Sequence, residues 1–374
     1  MSELNASNFK KEHGNEGPDL VGVTEFSSPH YFVPPSGTTE QRPQNPQPGT
    51  LRFNTDFGSL EFFRGDLIGW ERVERVQLST GGDARAVMGG GFVSPGNSNK
   101  IDYGSISTRG KFDDFGVLTR GDRHTYSGVS SKTRGCWGGG FPQATQTTID
   151  YITIPTTGDA IDFGDMSAGR IGATGLSNQT RGCWAGGYSY SPGPRTTRDV
   201  IDYITIASTG AAKDFGNLQN AKEFSSQSSC ASTTRGIYFR CTGNIIDYIT
   251  ITTQGNALDF GDVGTTTGAG AGLSNSTRGI IAGGGTPGTA KDIYYITIAT
   301  KGNAVDFGDL DYGNEGGTAA SSPTRGLVMG MKTPSVSTQI DSIEIMSTGN
   351  AVDFGNTTEA RSNAGSCSNA HGGL

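Results

Sequence analysis

Long apolar runs are missing from this sequence. No stretch of its 374 residues approaches the roughly 18 to 20 consecutive apolar residues of a membrane-crossing helix, so membrane insertion is not expected. Met1 to Asn15, with Glu3, Lys10, Lys11 and Glu12, lacks the apolar core of a secretory leader. Positive charge is also short: 29 Lys and Arg against 36 Asp and Glu give a formal charge of -7 and a pI near 5.2, which argues against a nucleic-acid binder. Only four histidines occur, His13, His30, His124 and His371, too scattered for a metal cluster or a triad. There is no GxxxxGKS/T phosphate loop, no GxSxG elbow, no HExxH and no Ser-x-Asp-x-Gly-x-Thr-Trp box. No catalytic residue, metal or cofactor is therefore expected. The five cysteines, Cys136, Cys183, Cys230, Cys241 and Cys367, are odd in number in a long chain; they read as small buried fillers rather than a disulfide framework.

Glycine is in excess, 59 residues or about 16% against an ordinary level of roughly 7%. It follows no strict three-residue period, which excludes collagen. Instead it punctuates a repeat. Asp-Phe-Gly stands at 114–116, 162–164, 214–216, 259–261, 306–308 and 353–355, at spacings of 48, 52, 45, 47 and 47 residues. Ahead of each lies IDYGSI from Ile101, IDYITI from Ile149, Ile201 and Ile246, IYYITI from Ile293, or IDSIEI from Ile340. Earlier still comes Thr-Arg-Gly at 133–135, 180–182, 234–236, 277–279 and 324–326, with Ala84-Arg85-Ala86 in the first unit. A period in the high forties indicates a solenoid, a propeller or a blade array.

The units are stranded rather than helical. IDYITI is β-branched and aromatic, and its flanking glycines would each cost a helix about 1 kcal/mol. Each unit holds four short runs: a small-residue run such as Ala173 to Ser177, the run after Thr-Arg-Gly, IDYITI, and the run through Asp-Phe-Gly. Four strands of four to six residues with their turns fill some 47 residues, the size of a propeller blade; a β-solenoid is the second choice, since its coils are usually shorter. The first unit lacks the small-residue strand, and Ala364 to Asn369 supplies one with nothing after it. The expectation is closure, with Ala364 to Asn369 pairing beside Val87 as the innermost strand of the first blade.

The order of arginine, small-residue strand, double glycine, Ile-Asp-Tyr strand, then Thr-Gly and an aromatic, as in Arg170 to Phe215, resembles the kelch repeat. Phenylalanine of Asp-Phe-Gly stands where the kelch tryptophan usually sits, in all six units. The resemblance covers about 80 to 374 and implies an all-β fold: a six-bladed kelch-like β-propeller of four-stranded blades closed by pairing of its two termini.

Residues 1–20 read as an extended polar arm, 21–78 as a small β module and 79–374 as the propeller. Alternation at Leu51 and Phe53 and again at Leu60 and Phe62 indicates an antiparallel meander turning at Asp56-Phe57-Gly58. The string from Ser36 to Trp70, with its Gly-Thr-x-x-x-Arg-Pro lead, Arg-x-Asn-Thr strand, Glu-x-aromatic strand and tryptophan, resembles a short module of bacteriophage tail-fibre proteins. The repeat markers resemble structural proteins of phages of marine cyanobacteria.

These resemblances imply a non-enzymatic virion structural protein, a fibre component or capsid decoration. It would be anchored to other virion proteins through 1–78, by Arg52, Phe53, Phe62, Phe63 and Trp70, with homo-oligomers allowed. The propeller would be displayed toward a host-surface glycan or receptor. The aspartates of Asp-Phe-Gly recur in every unit and so read as turn caps; the ring of Arg85, Arg134, Arg181, Arg235, Arg278 and Arg325 reads as blade-to-blade hydrogen bonding. Binding is expected where units differ, in the connection from the glycine cluster to the Ile-Asp-Tyr strand, at Phe92, Phe141, Tyr188, Tyr190 and Arg195. Two other classes compete. A polysaccharide-degrading enzyme would need carboxylates that break the repeat, such as Asp122 or Glu223, and nothing in the sequence pairs them. An intracellular kelch-type interaction protein is disfavoured by the module at 36–73.

Overall fold

The computed structural model describes residues 34–56, 59–66, 69–72, 84–120, 123, 127–141, 146–189, 194–224, 226–239, 243–264, 270–284, 291–331 and 335–374. The expected arm at 1–20 lies outside these residues. The chain divides into two compact units, Met1–Leu78 and Ser79–Leu374.

In the first unit Leu51–Asn54, Ser59–Phe63 and Trp70–Arg72 form an antiparallel meander, and Ser36–Gly37 joins it in parallel beside Leu51–Asn54. Side chains alternate across a strand, so Arg52, Asn54, Glu61 and Phe63 share one face while Leu51, Phe53, Leu60 and Phe62 share the other. The usual sidedness is inverted. Arg52, Asn54 and Glu61 are buried, whereas Leu51 is 43% exposed and Phe53, Leu60 and Phe62 are half-buried.

The second unit is a repeated set of antiparallel four-stranded sheets, numbered here first to sixth in chain order. The first sheet runs Asp113–Val117, Lys100–Ser105, Arg85–Gly89, Gly365–Ser368. The other five begin with Gly128–Ser130, Thr174–Ser177, Ser229–Ala231, Ala271–Ser274 and Thr318–Ser321, followed by the Thr-Arg-Gly, Ile-Asp-Tyr and Asp-Phe-Gly strands. In the first sheet the small-residue strand comes from the far end of the sequence: Gly365 pairs with Gly89, Cys367 with Val87 and Ser368 with Ala86.

Asp-Phe-Gly marks a β-bulge in every sheet. Asp150 pairs with Asp162 and Ile149 with Gly164, so Phe163 is the extra residue, turned inward and only 3% exposed. The glycine is required twice over. Its φ lies between 139° and 157° in all six sheets, and a Cβ on Gly164 would stand 2.5 Å from the carbonyl oxygen of Gly210 in the next sheet. The aspartate is exposed, and the Oδ1 of Asp114 and Asp162 accepts the N–H of Gly116 and Gly164, two residues on.

Four kinds of contact join consecutive sheets, and each also links the sixth to the first. The apolar core consists of clusters shared by neighbours, such as Phe163 and Met166 with Trp184 and Ile206; Ala86, Met88, Ile106 and Phe112 pack with Leu327, Met329 and Phe354 between the first and sixth sheets. The six repeat arginines donate through Nη1 to the carbonyls of Ile154, Ile206, Ile251, Ile298, Ile345 and, from Arg325, Ile106. Serine hydroxyls on the first strands donate to the neighbouring strand, Ser130 to Ser368 O, Ser177 to Ser130 O, Ser274 to Ala231 O, Ser321 to Ser274 O and Ser368 to Ser321 O. Lastly, the Thr-Gly turn of one sheet lies along the outer strand of the preceding one, as when Gly158 and Ala160 donate to Phe115 O and Val117 O; Gly110–Lys111 pairs in parallel with residues 355 and 356 of the sixth.

Candidate functional site

The first strands of all six sheets line one cavity of about 40 Å³, room for roughly three waters. Gln227 reaches into it, its Oε1 accepting from Thr318 Oγ1 at 3.0 Å and from Ser366 N and Oγ at 3.1 Å. His371 also lines it. Gly373 N–H donates to His371 Nδ1, which places the ring proton on Nε2, 3.2 Å from Ser130 O. Burial pushes the His371 pKa down to about 4, so the ring is neutral. At about 40 Å³ the cavity is several-fold smaller than the few hundred Å³ that small-molecule sites usually offer, so it is a narrow seam and ligand binding belongs outside it.

The loop residues expected to bind occupy one repeat position. Phe92, Phe141 and Tyr188 each follow the double glycine in the first three sheets and are half-buried. Phe92 is anchored by its backbone, N–H to Ser362 O at 2.6 Å and O from Ser362 N at 3.0 Å. Tyr188–Ser189 pairs with Thr196–Thr197, and the Arg195 guanidinium lies 4.3 Å from the centre of the Tyr188 ring. Arg195 also forms an ion pair with Glu223, so the carboxylate weighed for catalysis is occupied by the arginine weighed for binding. Sequence reasoning did not link these two, because they meet only through the fold. Ser189, whose Oγ accepts from Arg198 Nε and Nη2, completes the group. Tyr190, Asp122 and Cys241 lie outside the described residues.

The repeat arginines and tyrosines are coupled. Arg85, Arg134, Arg181, Arg235 and Arg278 stack over Tyr103, Tyr151, Tyr203, Tyr248 and Tyr295 at 4.2 to 4.8 Å. The same tyrosines meet the bulge phenylalanines edge-on at 5.6 to 6.1 Å. A second set of arginines escaped the sequence reading. Arg123, Arg170 and Arg361 are fully buried against the Ile-Asp-Tyr aspartates Asp150, Asp202 and Asp102, at 2.6, 2.6 and 2.9 Å. Their signal was an arginine shortly before the small-residue strand in three of the five units that keep the Ile-Asp-Tyr aspartate; the fourth and sixth units have Phe224 and Asn314 there.

In the first unit the motif residues converge. Glu61 is buried between Arg42 at 2.6 Å and Arg52 at 3.2 Å and accepts from Asn54 Nδ2 at 3.1 Å. Hydrogen bonding from Arg42 holds the Glu61 carboxyl below its ordinary pKa. Trp70 roofs the group, 5.6 Å from Arg42 and 5.9 Å from Arg52, and packs on Phe63. The residues expected to make the attachment divide between the two faces of the meander. Arg52 and Phe63 point inward, because a strand carrying the Glu61 partner must face Glu61, and Trp70 covers them. Phe53 and Phe62 remain at the surface, joined by Leu51 and Leu60 through the cross-strand pairs Leu51 with Phe62 and Phe53 with Leu60.

Cys136, Cys183, Cys230 and Cys367 are free and buried, and burial pushes the Cys183 and Cys367 thiols up to about 12, which removes thiolate chemistry at neutral pH. Among the described residues no group of three or more His, Cys, Asp or Glu could hold a metal ion. Compared with protein-family models and with curated proteins, the chain matches none.

Proposed function

We propose that the second unit is a six-bladed kelch-like propeller and that the whole chain is a non-enzymatic virion structural protein of a tailed bacteriophage. Support for the propeller comes from four contact series that run from sheet to sheet and return from the sixth to the first, and from the shared seam at their inner strands. The first unit anchors the chain to other virion proteins or to a second copy, and the second presents its loops to a host-surface glycan or receptor. The observation that carries the anchoring is the inverted meander: its ion-paired face is buried, and the apolar face of Leu51, Phe53, Leu60 and Phe62 is left half-exposed. Apolar cross-strand pairs left in contact with water favour a covering surface.

Support for glycan binding comes from Phe92, Phe141 and Tyr188 at one repeat position of three consecutive sheets, with the polar Arg195 stacked on Tyr188. Aromatic rings with fixed polar neighbours match the mixed surface of a sugar. Catalysis is not part of the reading, since Glu223 is engaged by Arg195 and no described carboxylate partners it as acid or base.

The test is incorporation into particles. A chain starting at Ser79 should be soluble and β-rich, yet absent from particles assembled without the full-length protein. Phe53→Ser with Phe62→Ser in the full chain should do the same. Normal occupancy of either form would move the attachment to the second unit and sink the anchoring assignment.

A further inference from the structure

The turn between the last two strands of each sheet aligns without gaps through all six units. Around its glycine, five turns carry Thr157 and Asp159, Thr209 and Ala211, Gln254 and Asn256, Lys301 and Asn303, or Thr348 and Asn350; the first carries Arg109 and Lys111. The position after the glycine has a structural task in four of them. The Oδ1 of Asp159, Asn256, Asn303 and Asn350 accepts the backbone N–H of Val117, Asn217, Asp262 and Asp309 in the preceding sheet, each at 3.0 Å. Lysine has no acceptor and cannot perform it. Between the sixth and first sheets the backbone does so instead, through the parallel pairing of Gly110–Lys111 with residues 355 and 356. Neither cation is needed to hold the turn.

Residues two apart on an extended backbone project to one side. Arg109 and Lys111 line a single groove of about 280 Å³ together with Arg85, Tyr103, Ser105 and Thr108. Arg85 is fixed there, donating to Ile154 O at 2.8 Å and stacked 4.8 Å from the Tyr103 ring centre. Asp113 is the carboxylate of the lining, so three cations face one anion on a chain whose formal charge is -7. The matching groove of the third sheet contains Lys213 as its cation.

We propose that this groove binds an acidic saccharide, its carboxylate or sulfate held by Arg109, Lys111 and Arg85 with the hydroxyls of Ser105 and Thr108 beside the ring. Arginine and lysine side chains bind such oxyanions through charge-assisted hydrogen bonds, and a pre-positioned arginine loses little freedom in doing so. The assignment deepens the glycan-binding reading above and rests on it. The overall acidity of the chain favours a short anionic sugar over a nucleic acid, whose regular phosphate array needs a wider basic face.

The experiment measures binding of the full-length protein to oligogalacturonate, to a sulfated dextran oligomer, to neutral dextran and to a DNA duplex. The variant carries Arg109→Thr with Lys111→Asn, residues that other turns of the same fold accept. The expected result is binding of at least one acidic sugar that weakens with added salt and falls by about tenfold or more in the variant, with Lys301→Thr unchanged and the melting temperature kept. Which acidic sugar binds distinguishes carboxylate from sulfate as the recognised group. Wild-type affinity in the variant, neutral dextran binding as tightly as the acidic sugars, or tighter binding to DNA would each overturn the groove assignment. Neutral-sugar binding untouched by the variant would overturn it while leaving the glycan reading standing; failure of every saccharide to bind would remove both.

Discussion

A buried carboxylate destabilises a protein unless its charge is balanced, and the Ile-Asp-Tyr aspartates differ in how this is done. Asp102, Asp150 and Asp202 face buried arginines. Asp341, equally buried, accepts instead from Gln339 Nε2 at 2.9 Å and from Asp311 N at 3.2 Å, and desolvation raises its pKa. At the repeat position of Arg170 and Arg361 the sixth sheet has Asn314, fully buried with neither amide atom hydrogen-bonded. Opposite effects of one substitution follow. Asp202→Asn leaves the Arg170 guanidinium buried without its counter-charge and should cost about 3 to 5 kcal/mol. Asp341→Asn removes a penalised charge and should be neutral or stabilising at pH 7. The sign follows from the raised folded-state pKa: the stability tied to protonated Asp341 is complete below the ordinary carboxylate range and lost as pH rises through the folded value. The advantage of the Asp341→Asn variant should thus vanish below about pH 4. Denaturant titrations of both variants at pH 7 and pH 4 check this, and a large loss for Asp341→Asn at pH 7 would contradict it. The aspartates were legible in the sequence as repeat markers; their burial was not, because their arginine partners lie roughly 27 to 32 residues earlier, or 259 later.

At the scale of an element, a strand and the turn after it exchange volume. Five units put isoleucine or another apolar residue in the fourth position of the Ile-Asp-Tyr strand and alanine three residues before the bulge phenylalanine, as with Ile152 and Ala160. The first unit has Gly104 and Phe112. A Cβ on Gly104 would fall 2.3 Å from Phe112 Cδ1, so the phenylalanine occupies the space vacated by the missing side chain. Phe112→Ala alone should open a cavity and cost about 3 to 5 kcal/mol. Gly104→Ile alone should clash and destabilise as well. Together they recreate the arrangement of the other units and should recover most of the loss, a coupling that a double-mutant cycle reads directly. Additive costs would show that the two residues do not share one space. The pair is visible in the sequence only after the six units are aligned, and the contact that explains it is tertiary.

For the molecule as a whole, the contribution of Gly365–Ser368 to the first sheet is decisive. It pairs with Arg85–Gly89, places Cys367 in the cluster of Val87 and Trp137, and brings Arg361 onto Asp102. Removing residues 361–374 would strip a strand from one sheet, expose the edge of Arg85–Gly89 and leave Asp102 buried without its arginine. Large destabilisation or aggregation is the expected outcome. A truncated protein that melts within a degree or two of the intact chain would show that the first sheet stands without its fourth strand. A milder change belongs to the first unit: Glu61→Gln should weaken it at neutral pH. The lowered Glu61 pKa means its contribution is present above the ordinary carboxylate range and lost as pH falls through the folded value, so the two proteins should converge in acid.

The sequence by itself determined the repeat, its strands and the order in which they pair, because these rest on local chemistry: β-branched runs, glycine turns and a period near 47 residues. It also determined that the small-residue strand missing from the first unit is present near residue 365, since a count of strands needs no coordinates. Tertiary structure decided which faces are inside. In the first unit the polar face is buried and the apolar one is not, against the binary pattern, because Glu61 satisfies two arginines and an asparagine at once. It decided that Asp-Phe-Gly is a bulge pressed against the next sheet, a constraint made at Gly164 by the carbonyl of Gly210, 46 residues away. It decided as well that Arg195 meets Glu223 and that Arg109 and Lys111 share a groove with Arg85. Such groups come together only when separate sheets pack, and no local pattern in the chain encodes that meeting.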